Sequence, residues 1–180
     1  MRMLIIADTH IPDRAEKLKP YVEDIVEEHK PYDIVVHAGD LTSEAVLEWV
    51  KSLGKQYYVV EGNMDYLPLP RYAKFEVNGI RFGVYHGHGV YPRGDLKQLT
   101  AIARQLEVDI LISGHTHAPF LSEYEGILHI NPGSLTGVWG GGGGSMRPSL
   151  VIVEIAGQRL DITLWEDVGG RMSITRKASF

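Results

Sequence analysis

The sequence of 180 residues contains no cysteine, which excludes disulfides, thiolate metal ligands and thiol nucleophiles. Any metal site must therefore use His, Asp, Glu or Asn side chains. No apolar stretch approaches the roughly 20 residues needed to cross a bilayer. The apolar run Leu4–Ala7 ends at Asp8 and is too short for a signal peptide, so it reads as a buried first strand. We expect a cytoplasmic protein without membrane association.

Basic residues are also scarce, because 18 Lys and Arg stand against 23 Asp and Glu and the formal net charge is −5. Affinity for nucleic acid depends mainly on Lys and Arg, so the composition disfavours a dedicated nucleic-acid binder. A nuclease is not excluded, since bound metal ions add positive charge that residue counts omit. The length and the hydrophobic fraction of 44% are typical of a globular protein, and we expect one domain over residues 1–180.

Short apolar runs alternate with amphipathic stretches in the first two thirds of the chain, which is typical of strand–helix–strand units. Strands are predicted at Leu4–Ala7, Ile34–Val36, Tyr57–Val60 and Ile110–Ile112. Helices are predicted at Ala15–His29, Ser43–Leu53 and Leu96–Glu107, the second capped by Thr42 or Ser43. Turn signals at Asn78-Gly79 (between Tyr72–Val77 and Ile80–Tyr85), Glu125-Gly126 and Ala156-Gly157 indicate hairpins.

This mixture has too many strands for one doubly wound sheet, so we expect an α/β protein with two sheets packed face to face and helices outside. The run Gly140–Gly144 offers no side chain to bury and is predicted to be a mobile loop. The final stretch, Glu166–Phe180, fits either an edge strand or a loose tail.

Side chains that bind metals follow directly after the apolar strands. Ligand sites in α/β sheets lie at the carboxyl ends of strands, so these side chains are expected to converge. The candidates are Asp8, His10, Asp40, Asn63, His86, His115 and His117. Residues i and i+2 of an extended chain point the same way, which would pair Asp8 with His10 and His115 with His117. Glycines at 39, 62, 87 and 114 would let the backbone approach an ion.

Each segment alone has a plainer interpretation as a turn, a helix cap or a buried histidine. Five of the eight histidines, however, lie in these segments after strands, and all the segments occur in one short chain. They are His10, His86, His88, His115 and His117. Seven oxygen and imidazole ligands are too many for one tetrahedral centre and suit two ions with open positions. His29, His37 and His129 are predicted to be structural.

The order Asp8-x-His10, Gly39-Asp40, Gly62-Asn63-x-Asp65, His86-Gly87-His88 and Gly114-His115-x-His117 resembles the calcineurin-like metallophosphoesterase family. Length and spacing are most similar to its small bacterial and archaeal phosphodiesterases, and the resemblance runs from residue 1 to about 134, including Asn131-Pro132-Gly133-Ser134. It implies a four-layer α/β/β/α sandwich with a binuclear site at the sheet edge. By motif, Asp8, His10 and His117 would bind one metal, Asn63, His86 and His115 the other, and Asp40 both.

The resemblance also implies that a hydroxide shared by two divalent ions attacks a phosphodiester. The ligand set suits Mn²⁺, Fe²⁺, Ni²⁺, Co²⁺ or Zn²⁺, and the resemblance favours Mn²⁺. Larger relatives carry histidine where this chain has Met64, which cannot protonate a leaving group. His88 fits either substrate contact or a supporting role. A phosphomonoesterase, a nuclease, or a non-catalytic scaffold like the small retromer subunit are the alternatives.

Overall fold

A computed structural model describes residues 1–180 and contains three helices and eleven strands. The helices are α1 (Pro20–Glu28), α2 (Glu44–Ser52) and α3 (Leu96–Leu106). The strands are β1 (Arg2–Ile6), β2 (Tyr32–His37), β3 (Gly54–Val59), β4 (Tyr72–Val77), β5 (Ile80–Tyr85), β6 (Ile110–Ile112), β7 (Phe120–Tyr124), β8 (Ile127–Asn131), β9 (Ser149–Ala156), β10 (Arg159–Asp167) and β11 (Met172–Ser179). None of the helices combines the length and the apolarity that a bilayer crossing requires.

The strands form two mixed sheets, with orders β11-β10-β9-β1-β2-β3 and β4-β5-β6-β8-β7. Strands β1, β2 and β3 are parallel neighbours in the first sheet. Strands β5, β6 and β8 are parallel neighbours in the second. The carboxyl ends of three parallel strands therefore meet at one edge of each sheet.

Alternation along β1 shows how the layers pack, because successive side chains of a strand point to opposite faces. Met3 and Ile5 belong to the apolar core between the two sheets, whereas Leu4 and Ile6 pack with residues of α1 and α2. On the outer face of the second sheet, Leu99 of α3 packs in a third cluster. These clusters separate four layers and confirm the predicted α/β/β/α sandwich.

The predicted helix at Ala15–His29 is wrong at its start, since α1 begins only at Pro20. Proline has no amide hydrogen to donate and forces the preceding residue away from helical geometry, which explains why Lys19 is extended (φ −68°, ψ 139°). In α2, the Ser43 side chain accepts a hydrogen bond from the Val46 amide and caps the helix, as predicted.

The three predicted hairpins are present as β4–β5, β7–β8 and β9–β10. The ambiguous C-terminal stretch forms the end of β10 and the edge strand β11, which pair antiparallel with one another. The Gly140–Gly144 run lies outside all helices and strands, as predicted, but it packs against His117.

His129 on β8 makes stability depend on pH. It is fully buried, with Nε2 2.8 Å from the Thr100 hydroxyl on α3, and burial lowers its pKa from 6.5 to about 4. Between pH 6.5 and about 4, His129 is therefore protonated in the unfolded chain but not in the folded chain. The contribution of neutral His129 to stability is full above pH 6.5 and is lost as the pH falls towards 4.

We expect His129→Gln to reduce the loss of stability across this interval relative to wild type. Denaturant unfolding of both proteins above and below the interval measures the difference. Equal losses in the two proteins would contradict the assignment.

Candidate metal centre

The structure brings together all seven side chains singled out as metal ligands, in the loops that follow β1, β2, β3, β5 and β6. Asp8, His10, Asp40 and His117 offer potential ligand atoms within 4.8 Å of one another. Asp40, His86 and His115 form a second such group. Asn63 joins the second group, because its Oδ1 lies 3.2 Å from His86 Nε2. The Asp40 carboxylate belongs to both groups.

Asp40 Oδ2 is 3.3 Å from His10 Nε2 and 3.3 Å from His86 Nε2. On the other side, His117 Nε2 lies 3.4 Å from Asp8 Oδ1 and 3.2 Å from His10 Nε2. Asp8 Oδ1 is buried and has no hydrogen-bond donor, an arrangement that is costly unless a cation satisfies it. Carboxylate oxygen and imidazole nitrogen suit divalent transition metals, so these residues fit a metal ion.

Two histidines are oriented by backbone carbonyls. His86 Nδ1 lies 2.7 Å from the Ala38 carbonyl oxygen, and His117 Nδ1 lies 2.7 Å from that of Val138. A carbonyl oxygen can only accept, so each Nδ1 carries a proton and donates it. Nε2 is therefore the nitrogen that faces the carboxylates, which is how metal-binding histidines are commonly fixed.

The electrostatics of the group are dominated by Asp40 and His86. Burial acts to raise the pKa of Asp40, but hydrogen bonds from His10 and His86 outweigh it and hold that pKa well below its usual range. Burial likewise acts to lower the pKa of His86, but Asp40 and Asp8 outweigh it and raise that pKa to about 9. At His115, burial and the neighbouring His86 lower the pKa to about 4. The Asp40 carboxylate is thus ionised at neutral pH.

The backbone at the four paired positions differs from the prediction, and a fifth candidate ligand shares their conformation. Extended i and i+2 pairs were expected, whereas the residues have positive φ angles of 47–68°. They are Asp8, His10, Asp40, His115 and His117. Asp and His enter this left-handed region more readily than bulky residues, but each still costs energy, and such strain concentrates at functional sites. The side chains converge because the chain turns sharply, so the extended geometry is wrong. The predicted pairing holds for Asp8 and His10 but not for His115 and His117, which lie in different groups.

Two glycines make room for the carboxylates. A Cβ placed on Gly62 would lie 2.1 Å from Asp40 Oδ1, and one on Gly114 would lie 2.9 Å from Asp8 Oδ2. Neither residue has a positive φ, so space and not conformational freedom requires glycine. The interpretation that glycine lets the backbone approach the site is supported at these two positions.

Asp65 lies in the Gly62-Asn63-Met64-Asp65 block and has a structural role that residue spacing does not predict. Its carboxylate accepts hydrogen bonds of 2.8 Å from the amides of Asp40, Thr42 and Gly62. Asp65 thereby joins the loop after β2 to the loop after β3.

The Asn131–Ser134 segment holds the backbone of two other loops, a role that residue spacing does not predict. The side-chain amide of Asn131 donates to the Gly114 carbonyl oxygen, and the Ser134 hydroxyl donates to that of Asp8. Because these bonds end on backbone carbonyl groups, the spacing of side-chain types does not predict them.

Met64 and His88 lie beside the cluster. The Met64 amide donates to Asp40 Oδ1 at 2.8 Å, while its side chain is 43% exposed. The His88 ring lies 5.5 Å from the ring of His86 and 6.4 Å from that of His115, measured between centroids. Burial lowers the pKa of His88, and its Nδ1 is buried without a hydrogen-bond partner. His29, His37 and His129 lie outside both groups.

The layered fold and the convergent ligand atoms define a candidate metalloprotein of the α/β/β/α class. A family model described as the calcineurin-like phosphoesterase superfamily domain matches residues 1–158. The chain therefore belongs to that superfamily, as the motif resemblance predicted. It is 47% identical over 132 residues to a probable metallophosphoesterase of Methanocaldococcus jannaschii, covering 73% of this chain and 67% of the relative. A probable metallophosphoesterase of Methanothermobacter thermautotrophicus is 40% identical over 160 residues, 87% of each chain.

Solved structures with the same fold include vacuolar protein sorting 29 (Vps29) proteins. Vps29 of Cryptosporidium parvum has a TM-score of 0.93 at 26% identity, covering 99% of this chain and 97% of that one. Vps29 of Entamoeba histolytica, solved in complex with Zn²⁺, has a TM-score of 0.88 at 29% identity and covers 99% of both chains.

We expect Asp65→Asn to weaken both folding and metal binding, because an amide has one acceptor oxygen and would turn a donor towards backbone amides. The expected loss of stability is about 1–3 kcal/mol, the usual cost of leaving buried donors unsatisfied. Denaturant unfolding and calorimetric titration with Mn²⁺ measure the two effects. Asp24→Asn, an exposed site on α1, controls for the charge change. Wild-type values in Asp65→Asn would refute the bridging role.

Proposed function

We propose that this chain is a phosphodiesterase that depends on two divalent metal ions, with Mn²⁺ as the preferred metal. The observation that carries the proposal is the Asp40 carboxylate, which lies 3.3 Å from one imidazole of each ligand group. One ion would be held by Asp8, His10 and His117, the other by Asn63, His86 and His115, and Asp40 would serve both. When bound, two such ions lower the pKa of a coordinated water and neutralise charge on phosphoryl oxygens during attack.

The side chains of the site hold their positions and exclude water. Asp8, His10, Asp40, His86 and His117 are buried, which strengthens their interaction with a cation and with an anionic substrate. His115 and Asn63 are more open to solvent, so substrate would enter on their side. The membership in a phosphoesterase superfamily and the Zn²⁺ complex of the Entamoeba Vps29 structure support metal binding by this chain.

Exposed apolar side chains in the loops around the cluster support an organic phosphodiester as substrate. Met64 directly follows Asn63, and Tyr66 lies two residues further on, with 76% of its surface exposed. Tyr91 follows His88 by three residues, and Trp139 adjoins Val138, whose carbonyl oxygen binds His117. Apolar groups on either side of the phosphorus would find matching surface there, whereas inorganic or monoester phosphate would gain less from it.

We further propose that His88 contacts the substrate. Its ring adjoins those of His86 and His115, and a buried Nδ1 without a partner is available for a hydrogen bond. Met64 occupies the position from which a histidine would protonate the leaving oxygen. The enzyme would therefore prefer substrates whose leaving group departs without a proton, such as aryl phosphodiesters.

A non-catalytic scaffold is the second candidate, favoured by the similarity to Vps29 over 99% of this chain. The complete set of seven ligand residues argues for catalysis. Metal content and hydrolysis separate the two candidates.

We expect the purified chain to bind two equivalents of Mn²⁺ and to hydrolyse bis(p-nitrophenyl) phosphate faster than p-nitrophenyl phosphate or an oligonucleotide. Asp40→Asn should lower metal affinity and activity by more than about 100-fold, because even outer partners of metal ligands cost 10–100-fold. Elemental analysis and the substrate panel are the measurements, with Asp24→Asn as control. Metal binding without hydrolysis would favour the scaffold, and faster cleavage of the monoester or the oligonucleotide would replace the proposed substrate class.

We expect Met64→His to increase turnover selectively for phosphodiesters with poor leaving groups, because it restores a proton donor beside Asn63. Rates measured against leaving-group pKa should show a shallower dependence than in wild type. In the same series, His88→Ala should lower turnover while metal content stays unchanged. An identical dependence in Met64→His would exclude the missing acid as the cause.

A further inference from the structure

The glycine-rich segment Val138–Ser145, here called the glycine strap, lies directly on His117. The Gly140 amide donates to the Gly143 carbonyl oxygen at 2.8 Å, which closes a compact turn. A Cβ placed on Gly140 would lie 2.9 Å from both Cγ and Cδ2 of the His117 ring. One on Gly144 would lie 2.8 Å from His117 Cβ. The backbone of the strap therefore contacts the side chain of His117 with no room for another side chain between them.

Hydrogen bonds hold His117 from both ends of the strap. The Val138 carbonyl oxygen accepts from His117 Nδ1 at 2.7 Å, which turns Nε2 towards Asp8 and His10. The Ser145 amide donates to the His117 carbonyl oxygen at 2.9 Å. His117 has a positive φ of 53°, so its backbone needs such external restraint to stay in place.

Two arginines fasten the strap to the rest of the molecule. Arg93 Nη1 donates to the Gly140 carbonyl oxygen at 2.7 Å and to that of His115 at 3.3 Å. Arg14 Nη1 donates to the Trp139 carbonyl oxygen at 2.8 Å. Arg93 thus ties the strap to the loop that carries His115 and His117.

Space, and not backbone freedom, requires glycine at position 140. Its φ is not positive, so alanine could adopt the same backbone conformation. The alanine methyl group would instead collide with the ring of His117. Gly142 offers a matched comparison two residues away, since its φ is not positive either and an added Cβ would meet the Arg93 guanidinium, with Cζ at 3.2 Å, and not the His117 ring.

We infer that the glycine strap is a positioning element for His117, and that Gly140 fixes the ring so that Nε2 completes the group with Asp8 and His10. The inference rests on the proposed function insofar as that group binds a metal. It gives the strap a different role from a mobile loop or a lid over substrate. The atoms nearest to an added Cβ at the strap glycines belong to His117, Arg93 and the strap itself, so the second ligand group should not depend on these glycines.

The test compares Gly140→Ala with Gly142→Ala in the full-length protein. Calorimetric titration with Mn²⁺ should show one of two sites weakened by about 10–100-fold in Gly140→Ala, the usual effect of disturbing a ligand's support. The other site should keep wild-type affinity in Gly140→Ala, and Gly142→Ala, whose methyl group meets the flexible Arg93 side chain and not His117, should weaken the first site far less than Gly140→Ala does. Circular dichroism and unfolding midpoints establish that the variants are folded.

A second readout uses metal-free protein. Long-range ¹H–¹⁵N spectra should show His117 protonated at Nδ1 in wild type and in Gly142→Ala, and an altered or exchanging ring in Gly140→Ala. If the wild type bound no metal, the proposed function would fail while these spectra still decided the role of the strap. Should Gly140→Ala fail to fold, Arg14→Ala removes the bond to the Trp139 carbonyl oxygen of the strap, a bond that involves no residue of the second group, and should alter the same site selectively. Unchanged His117 signals and metal affinities in the folded variants would overturn the inference.

Discussion

The Asp40 carboxylate lies between His10, which follows a strand of the first sheet, and His86, which follows a strand of the second. This contact joins the two halves of the site, and it exists only because the sheets pack face to face with the ends of their parallel strands on the same side. Three supports fix Asp40 in turn. Asp65 accepts its amide hydrogen, the Met64 amide donates to its Oδ1, and Gly62 leaves space for the carboxylate.

The site concentrates polar and strained groups that the rest of the fold must stabilise. Two carboxylates and three imidazoles are buried together, and five of the ligand residues occupy left-handed backbone conformations that cost on the order of 1–3 kcal/mol each. The apolar core between the sheets contains 21 buried residues and offsets this cost through burial of nonpolar surface. Bound cations would also compensate the buried negative charge, most directly at Asp8 Oδ1, which has no hydrogen-bond partner.

Sequence patterns could predict the two sheets with helices outside because strands and helices follow from local periodicity, whereas the division of seven candidate ligands between two ions followed from the motif resemblance. Apolar runs identify strands, Asn78-Gly79 identifies a hairpin, and polar residues at strand ends identify the edge where a site forms. The late start of α1 at Pro20 also has a local signal, since proline favours the first turn of a helix.

The residues that hold the candidate ligands in place could not be predicted from sequence periodicity. Asp65, Ser134 and the glycine strap act through backbone amides and carbonyls, whose directions depend on loop conformations that side-chain spacing does not encode. The run Gly140–Gly144 illustrates the difference, because its composition suggested mobility, whereas at Gly140 and Gly144 an added side chain would collide with His117.

The proposed role of Asp40 is that of a carboxylate shared by two metal ions. Anomalous diffraction from crystals grown with Mn²⁺, recorded on both sides of the manganese absorption edge, tests this role directly. We expect two manganese peaks, one on either side of Asp40, with His10 and His117 at the first and His86 and His115 at the second. A single peak, or peaks that do not share Asp40, would contradict it.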